Sequence, residues 1–119
     1  MNLIKSHENT KDITILGDKV QMDGHFQSDG TVMIQGVFHG SLDSMNVIIT
    51  RHGKSKALIQ SKSLEIWGSL EGFARSEKVI CRSTSQIQGI IMSNGIAIEP
   101  GTMFGGGLIF PQTGESSEM

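Results

Sequence analysis

Short segments of this chain alternate between apolar and polar residues, and polar or glycine-containing corners separate them. Between Val32 and Leu42, for example, apolar side chains stand at Val32, Ile34, Phe38 and Leu42. A period of two places such side chains on one face of a β-strand. Segments of three to five residues between corners are too short for helices, so the pattern predicts an all-β chain.

The alternating segments also repeat. VMIQGVFHGSL begins at Val32, and the similar LEIWGSLEGFA begins at Leu64. Comparable openings stand at Val47, Val79 and Ile96, so successive openings are 15, 17, 15 and 17 residues apart. The two-residue difference falls in the corner after the first strand of each copy. Repetition at this period is typical of solenoids, because a unit this short cannot bury its own apolar face.

Stacking the units predicts a single-stranded parallel β-solenoid, in which one revolution of the chain is a rung. Residues 13–110 supply about six rungs, and strands about 4.8 Å apart give a rod about 29 Å long. A left-handed hexapeptide coil fits less well, because its revolutions need about eighteen residues and these average about sixteen. The predicted core holds Val32, Ile34, Phe38, Leu42, Val47, Ile49, Ile59, Leu64, Ile66, Leu70, Val79, Cys81, Ile87, Ile91, Ile96, Ile98, Phe104 and Leu108.

Composition and charge narrow the possible functions. Fifteen glycines argue against a helical bundle, since glycine weakens a helix by about 1 kcal/mol relative to alanine. A net charge of -2 provides no basic field, so no nucleic-acid partner is expected. A single cysteine excludes an intramolecular disulfide and suits a reducing compartment such as the cytoplasm.

The two ends of the chain are polar, and residues 1–12 and 111–119 are predicted to be disordered tails. No apolar run approaches the roughly 20 residues of a membrane helix, and the apolar stretch at the start is too short for a signal peptide. Leu3, Ile4 and Lys5 suit a weak contact with a membrane surface, with the apolar pair inserted and the lysine near lipid phosphate. The alternative is that these residues belong to an ordinary tail.

No residue set matches a catalytic or metal-binding pattern, so we expect no enzyme activity, no metal and no cofactor. Cys81 belongs to an inward apolar series and is interpreted as a core residue. Glycines 105–107 lack the strand-to-helix context and the lysine of a phosphate loop. The four histidines are not spaced along the chain as metal ligands are, at His7, His25, His39 and His52. Glu65, Glu71 and Glu77 are spaced along the outside of a rung, so they are not expected to form a catalytic pair across a cleft.

Three stretches, GTVMIQGVFHGSL, SLEIWGSLEGFA and the closing IAIEPGTMFGG, together resemble the bactofilins, a family of bacterial polymer-forming cytoskeletal proteins. The resemblance covers residues 13–110. It implies a right-handed β-helix that stacks end to end into non-polar filaments without nucleotide. It also implies a scaffold at the cytoplasmic face of the membrane that supports cell shape or localises cell-envelope proteins, with cell-wall enzymes or membrane proteins as partners. The corners RHGKSKA and RSTSQ depart from the family's more regular rungs and leave the partner set open.

A rod of this kind has two ends, and each exposes unpaired backbone groups and a cross-section of the core. Uncapped strand edges pair with other chains, and burial at such a contact contributes about 25 cal/mol per Å² of apolar area. Like ends that meet about two-fold axes build a filament, because two different isologous contacts do not close. Phe104 matches the aromatic residue of the family's closing element. The predicted polymerisation interface comprises Ile15, Leu16, Val20, Met22, Phe26, Met103, Phe104, Leu108 and Phe110.

Outward positions form a second candidate surface. Apolar residues align there from rung to rung, and exposed apolar stripes of this kind indicate bundling, membrane contact or a partner site. The predicted lateral or partner surface comprises Leu58, Trp67, Phe73 and Ile90. A register error of one residue would instead turn some of these side chains inward. Besides the self-assembling scaffold, two functions stay open, a non-polymerising adaptor that binds partners through these stripes and a solenoid enzyme, for which the chain lacks a cleft-building insert.

Overall fold

The computed structural model describes residues 12–111 as a single β-solenoid. All regular elements in this range are strands, and every strand pair is parallel. The strands are β1 (Ile13–Leu16), β2 (Gln21–Gln27), β3 (Thr31–Ile34), β4 (Val37–Ile49), β5 (Lys54–Ile66), β6 (Ser69–Cys81), β7 (Gln86–Ile98) and β8 (Met103–Ile109). The predicted all-β solenoid is confirmed. The predicted tails lie outside the described residues, apart from Asp12 and Pro111.

The strand register gives about six rungs. Ile13 pairs with Thr31, and the pairing continues from rung to rung through residues 46, 63, 78 and 95. We call such a stack of paired positions a column. We number the rungs 1 to 6 from these positions, so each of the first five rungs contains 15 to 18 residues. The predicted openings stack in one inward column, Val32, Val47, Leu64, Val79 and Ile96.

Rungs differ in length because their first corner differs. This corner takes two residues at 35–36 and 67–68, but four residues at 17–20, 50–53, 82–85 and 99–102. The longer corners close as β-turns, and in one of them the amide of Gly53 donates to the carbonyl of Thr50 over 2.9 Å. The structure therefore confirms where the two-residue difference lies.

Strands β4 to β7 each run for 13 residues, well beyond the predicted three to five. The chain bends within these strands at Gly40, Gly72 and Gly89, whose φ values are 134°, 126° and 144°. Backbone pairing continues through the bends, so a corner in the hydrophobic pattern does not end the strand. Glycine is required here because a Cβ at Gly89 would overlap the carbonyl oxygen of Gly72 on the rung below.

Inward side chains of rungs 2 to 5 form one continuous core. Ile34, Ile49, Ile66 and Cys81 stack in a single column and are each 0% exposed. The core prediction is wrong for Ile98 and Leu108 on the last rung, which are 45% and 38% exposed, whereas Ile96 and Phe104 are half-buried and pack against the core. These four side chains occupy inward columns, but no described rung covers them.

Candidate polymerisation surfaces

Rung 1 forms one end of the solenoid. β1 pairs only with β3, and β2 pairs only with β4, so among the described residues the outer edge of rung 1 has no strand partner. Leu16 and Phe26 head two inward columns and are half-buried, and Met22 heads a third and is 37% exposed. Three residues of the predicted interface therefore form the cross-section of the core at this end.

The other two residues predicted at this end lie on its rim. Ile15 occupies the outward column that continues through Met33, and it is exposed. Val20 is the last residue of corner 17–20 and is also exposed. Together with exposed Ile13, they extend the apolar surface of rung 1 beyond the core columns.

Rung 6 forms the opposite end. β8 pairs only with β7, so its far edge has no strand partner among residues 12–111. Phe104 covers Ile87, and Leu108 covers Ile91, as the next members of their inward columns. Met103 is 63% exposed on the outward side of β8, and Phe110 is exposed just after β8.

Ile98 belongs to the same surface, although the sequence indicated only a core position. It follows Cys81 in the inward column of Ile34, yet almost half of its side chain is accessible. Column membership predicts that a side chain points inward, but its burial also needs a rung on both sides. Ile98 lacks the second of these and therefore adds to the apolar end.

A cluster of charged and aromatic side chains joins rungs 4, 5 and 6 at the first corner. Arg82 donates from Nε to Glu65 Oε2 over 3.0 Å and from Nη1 to Glu99 Oε2 over 2.7 Å. Its guanidinium lies 5.0 Å from the ring centroid of Trp67, within range of a cation–π interaction. Trp67 Nε1 donates to Glu65 Oε2 over 2.8 Å.

The same corner favours the ionised form of Glu99. The hydrogen bond from Arg82, followed by one from the backbone amide of Ser83, lowers the pKa of Glu99. Hydrogen bonds to Glu99 and Glu65 raise the pKa of Arg82. Trp67 is exposed, as predicted for the lateral surface, but it is held in this cluster, away from the other three residues predicted with it.

Those three residues, Leu58, Phe73 and Ile90, do align in one outward column that continues from Ser41. Leu58 is 58% and Ile90 is 40% exposed, and Phe73 is half-buried. The register confirms that they face outward, so the alternative of a one-residue slip is excluded. A shallow groove follows part of this column, lined among others by His25 and Arg75.

Three other residues considered for catalysis or metal binding, Cys81, His25 and His39, are buried or contact neighbouring side chains in the fold. Burial raises the pKa of the Cys81 thiol to about 11, which keeps it protonated and inert at neutral pH. His25 shares a hydrogen bond of 2.6 Å with Ser41, and His39 lies 3.3 Å from Asp23, so each histidine contacts the adjacent rung. Residues 12–111 contain no group of three or more potential metal ligands. The same range contains no helix long and apolar enough to span a membrane.

The geometry defines a β-solenoid whose two apolar ends lack a capping element within the described residues. A family model described as "Bactofilin: Polymer-forming cytoskeletal" matches residues 14–108. The chain therefore belongs to the bactofilin family of polymer-forming cytoskeletal proteins. The solid-state NMR structure of the cytoskeletal bactofilin BacA matches with a TM-score of 0.78 and 23% sequence identity, covering 85% of this chain and 98% of that one. At this identity the likeness shows the fold. A search of curated proteins gave no match.

Proposed function

We propose that this protein polymerises end to end, without nucleotide, through the surfaces of rungs 1 and 6. The observation that carries the proposal is the exposure of inward columns at both ends, with Met22 at one end and Ile98 at the other. Each end also offers a strand edge free for further pairing in the described part of the chain. Family membership supports polymer formation as such, and the end surfaces supply a physical route to it.

We propose further that like ends meet, which gives a filament without polarity. In a two-fold contact the edge strands of the two copies run antiparallel and still complete each other's hydrogen bonds. A contact between two C-terminal ends then alternates with one between two N-terminal ends. The proposed interface residues are those of the sequence prediction, extended by Ile98.

In the cell, we propose a cytoskeletal scaffold at the cytoplasmic face of the membrane that supports cell shape or localises cell-envelope proteins. Support for this role comes from the family, whose members are cytoskeletal. Leu3, Ile4 and Lys5, the proposed membrane contact, lie outside the described residues. Cell-wall enzymes or membrane proteins are the proposed partners besides further copies of the chain.

A second candidate function is an adaptor that binds partner proteins and does not polymerise. The aligned outward column of Leu58, Phe73 and Ile90 favours it, since three stacked apolar side chains form a continuous stripe on a strand face. In the scaffold reading, the same stripe binds neighbouring filaments or cargo. The two candidate functions therefore differ in whether the ends of the solenoid polymerise. In both of them, the stripe binds another protein or filament.

Negative-stain electron microscopy of the purified full chain, in buffer without nucleotide, separates them. If the protein is a scaffold, we expect filaments that form as the protein concentration rises, with no change on addition of ATP or GTP. Particles that stay monomeric or dimeric at every protein and salt concentration would favour the adaptor. Filaments that appear only with nucleotide would contradict the proposed assembly.

A further inference from the structure

The two ends of the solenoid differ in charge, and this difference bears on the order of assembly. The described part of rung 1 and the residue before it carry four aspartates, Asp12, Asp18, Asp23 and Asp29, and one lysine, Lys19, all exposed. Of the four aspartates, Asp23 lies 3.3 Å from Nδ1 of His39 on rung 2. Rung 6, by contrast, carries one charged residue, Glu99, and Arg82 of the preceding rung binds it over 2.7 Å. Within residues 12–111, one end thus has an acidic rim, and the other is close to electrically neutral.

The ends also differ in how firmly the neighbouring rung holds the outermost corner. Glu99 accepts from the amide of Ser83 over 2.9 Å, and Thr102 donates from its hydroxyl to the carbonyl of Arg82 over 2.9 Å. Corner 99–102 is therefore tied to rung 5 at both of its ends. Corner 17–20 is tied to rung 2 by the backbone hydrogen bond from the Val37 amide to the Val20 carbonyl over 3.0 Å, but by no side-chain hydrogen bond within residues 12–111. A surface that is already ordered loses less conformational entropy on association.

Exposed apolar area is present at both ends, but little charge within the described part of the C-terminal end opposes its burial. Ile98, Met103 and Phe110 are 45%, 63% and 54% exposed on or just beyond rung 6. Pairing two C-terminal ends buries these side chains and brings no uncompensated charge of rung 6 near its copy. Pairing two N-terminal ends places two acidic rims one strand spacing apart, and like charges across an interface oppose association.

We propose that the two ends act in sequence: C-terminal ends pair first into a dimer, and N-terminal ends then join the dimers in a contact that requires salt to screen the aspartates. The occupant of each end is a second copy of this chain. This inference rests on the proposed function. Screening is the controlling variable because the Debye length falls from about 30 Å at 0.01 M salt to about 10 Å at 0.1 M.

The first test follows the wild-type chain by sedimentation and electron microscopy at one pH in about 10 mM and about 300 mM sodium chloride. We expect dimers at low salt and filaments at high salt, with a critical concentration about tenfold lower at high salt. A critical concentration that does not respond to salt would overturn the proposed order. Filaments that dissolve into monomers instead of dimers at low salt would also overturn it. Absence of filaments in every condition would instead contradict the proposed function itself.

A charge variant isolates the aspartates. Asp18→Asn with Asp23→Asn should allow filaments at both salt concentrations, because the rim loses two of its four negative charges. Glu71→Gln with Glu77→Gln is the matched control: it removes the same charge from exposed positions on rung 4 and should leave the salt response unchanged. Residues 1–11 and 112–119 are identical in all these proteins, so their charges do not enter the comparison. A double aspartate variant that keeps the wild-type response would overturn the proposal.

Two end variants identify which contact forms the dimer. Met22→Arg should stop assembly at dimers in either salt, since the C-terminal contact is intact. Phe104→Arg should give monomers at low salt, since only the repulsive contact remains. Circular dichroism checks that both variants are folded, and the aspartate variant, which leaves the core unchanged, tests the order of assembly independently of them. Monomers from Met22→Arg together with dimers from Phe104→Arg would reverse the order.

Discussion

Interior rungs and end rungs share the same inward columns, yet equivalent side chains have different surroundings. Ile66 on rung 4 is 0% exposed, whereas Ile98, two positions further along the same column, is 45% exposed. Both are isoleucines on parallel strands, so the difference comes from the missing rung above Ile98. An end of this solenoid is therefore an interior surface that lacks a neighbour, and another copy of the chain can supply that neighbour.

The largest predicted effect comes from comparing the same substitution at Phe104 on rung 6 and at Ile87, which precedes it in the same column. Phe104→Arg should abolish long filaments and leave a folded monomer or dimer, because the new charge reaches solvent at a free end but cannot be buried in a contact. Ile87→Arg should prevent folding, since Ile87 is 2% exposed and a charge there has no partner. Electron microscopy and circular dichroism report the two outcomes. Long filaments of Phe104→Arg would remove rung 6 from the interface.

The next prediction compares two glycines of one column. Gly89→Ala should destabilise the fold by about 3 kcal/mol, because φ is +144° and the added Cβ overlaps the carbonyl oxygen of Gly72. Gly24 on rung 1 also has a positive φ of 129°, but nothing lies within 4 Å of its Cβ position. Gly24→Ala should therefore cost clearly less, and chemical denaturation measures both. Equal losses would show that backbone strain alone decides the cost.

A third prediction concerns the side of the rod. Leu58→Asp with Phe73→Asp should leave single filaments intact and reduce their bundling, because the substitutions charge an outward column and leave the end surfaces unchanged. The control is Ser69→Asp with Gln86→Asp, which adds the same charge to an outward column on a polar face. Electron microscopy scores bundles against single filaments. Bundling that survives the first variant, or is lost equally in the control, would eliminate the stripe as a lateral surface.

A smaller effect is expected within the core. The Ser55 hydroxyl is buried in the column between Phe38 and Leu70 and has no hydrogen-bond partner among the described residues. Ser55→Ala should raise the free energy of unfolding by about 1 kcal/mol by removing this unsatisfied group. Ser76→Ala should lower it by a similar amount, since that hydroxyl shares a hydrogen bond of 2.9 Å with Ser61. Thermal unfolding of the two variants in parallel gives the sign, and a destabilised Ser55→Ala would mean that the hydroxyl is satisfied.

Much of this comparison was predictable from the sequence, because columns follow directly from a period of two and a repeat of about sixteen residues. The stacking of Val47 on Val32 and the outward position of Leu58 are of this kind. The exposure of Ile98 was not predictable, since burial depends on what lies beyond the last rung. The pairing of Arg82 with Glu99 had one signal, their separation of 17 residues, but whether two long side chains meet depends on the geometry of the corner.

The smallest predicted effect tests how the end rung is held by the interior. Arg82 binds Glu65 on rung 4 and Glu99 on rung 6. Because the pKa of Glu99 is lowered in the folded chain, its contribution to stability is present above the ordinary value of 4.5 and is lost as the pH falls through the lowered value. The change should be small, since the Glu99 side chain is 39% exposed and water screens the pair.

Acidification from pH 6 to below this range should therefore shift the resonance of the Ser83 amide, which donates to Glu99, in solid-state NMR spectra of the filament. Glu99→Gln should abolish the shift, because the amide side chain does not titrate. Amides of interior corners without a carboxylate acceptor, such as Gly53, should stay unchanged and serve as the internal reference. A Ser83 amide that does not respond would show that Glu99 does not hold the corner, and that backbone pairing with rung 5 is sufficient to order the end.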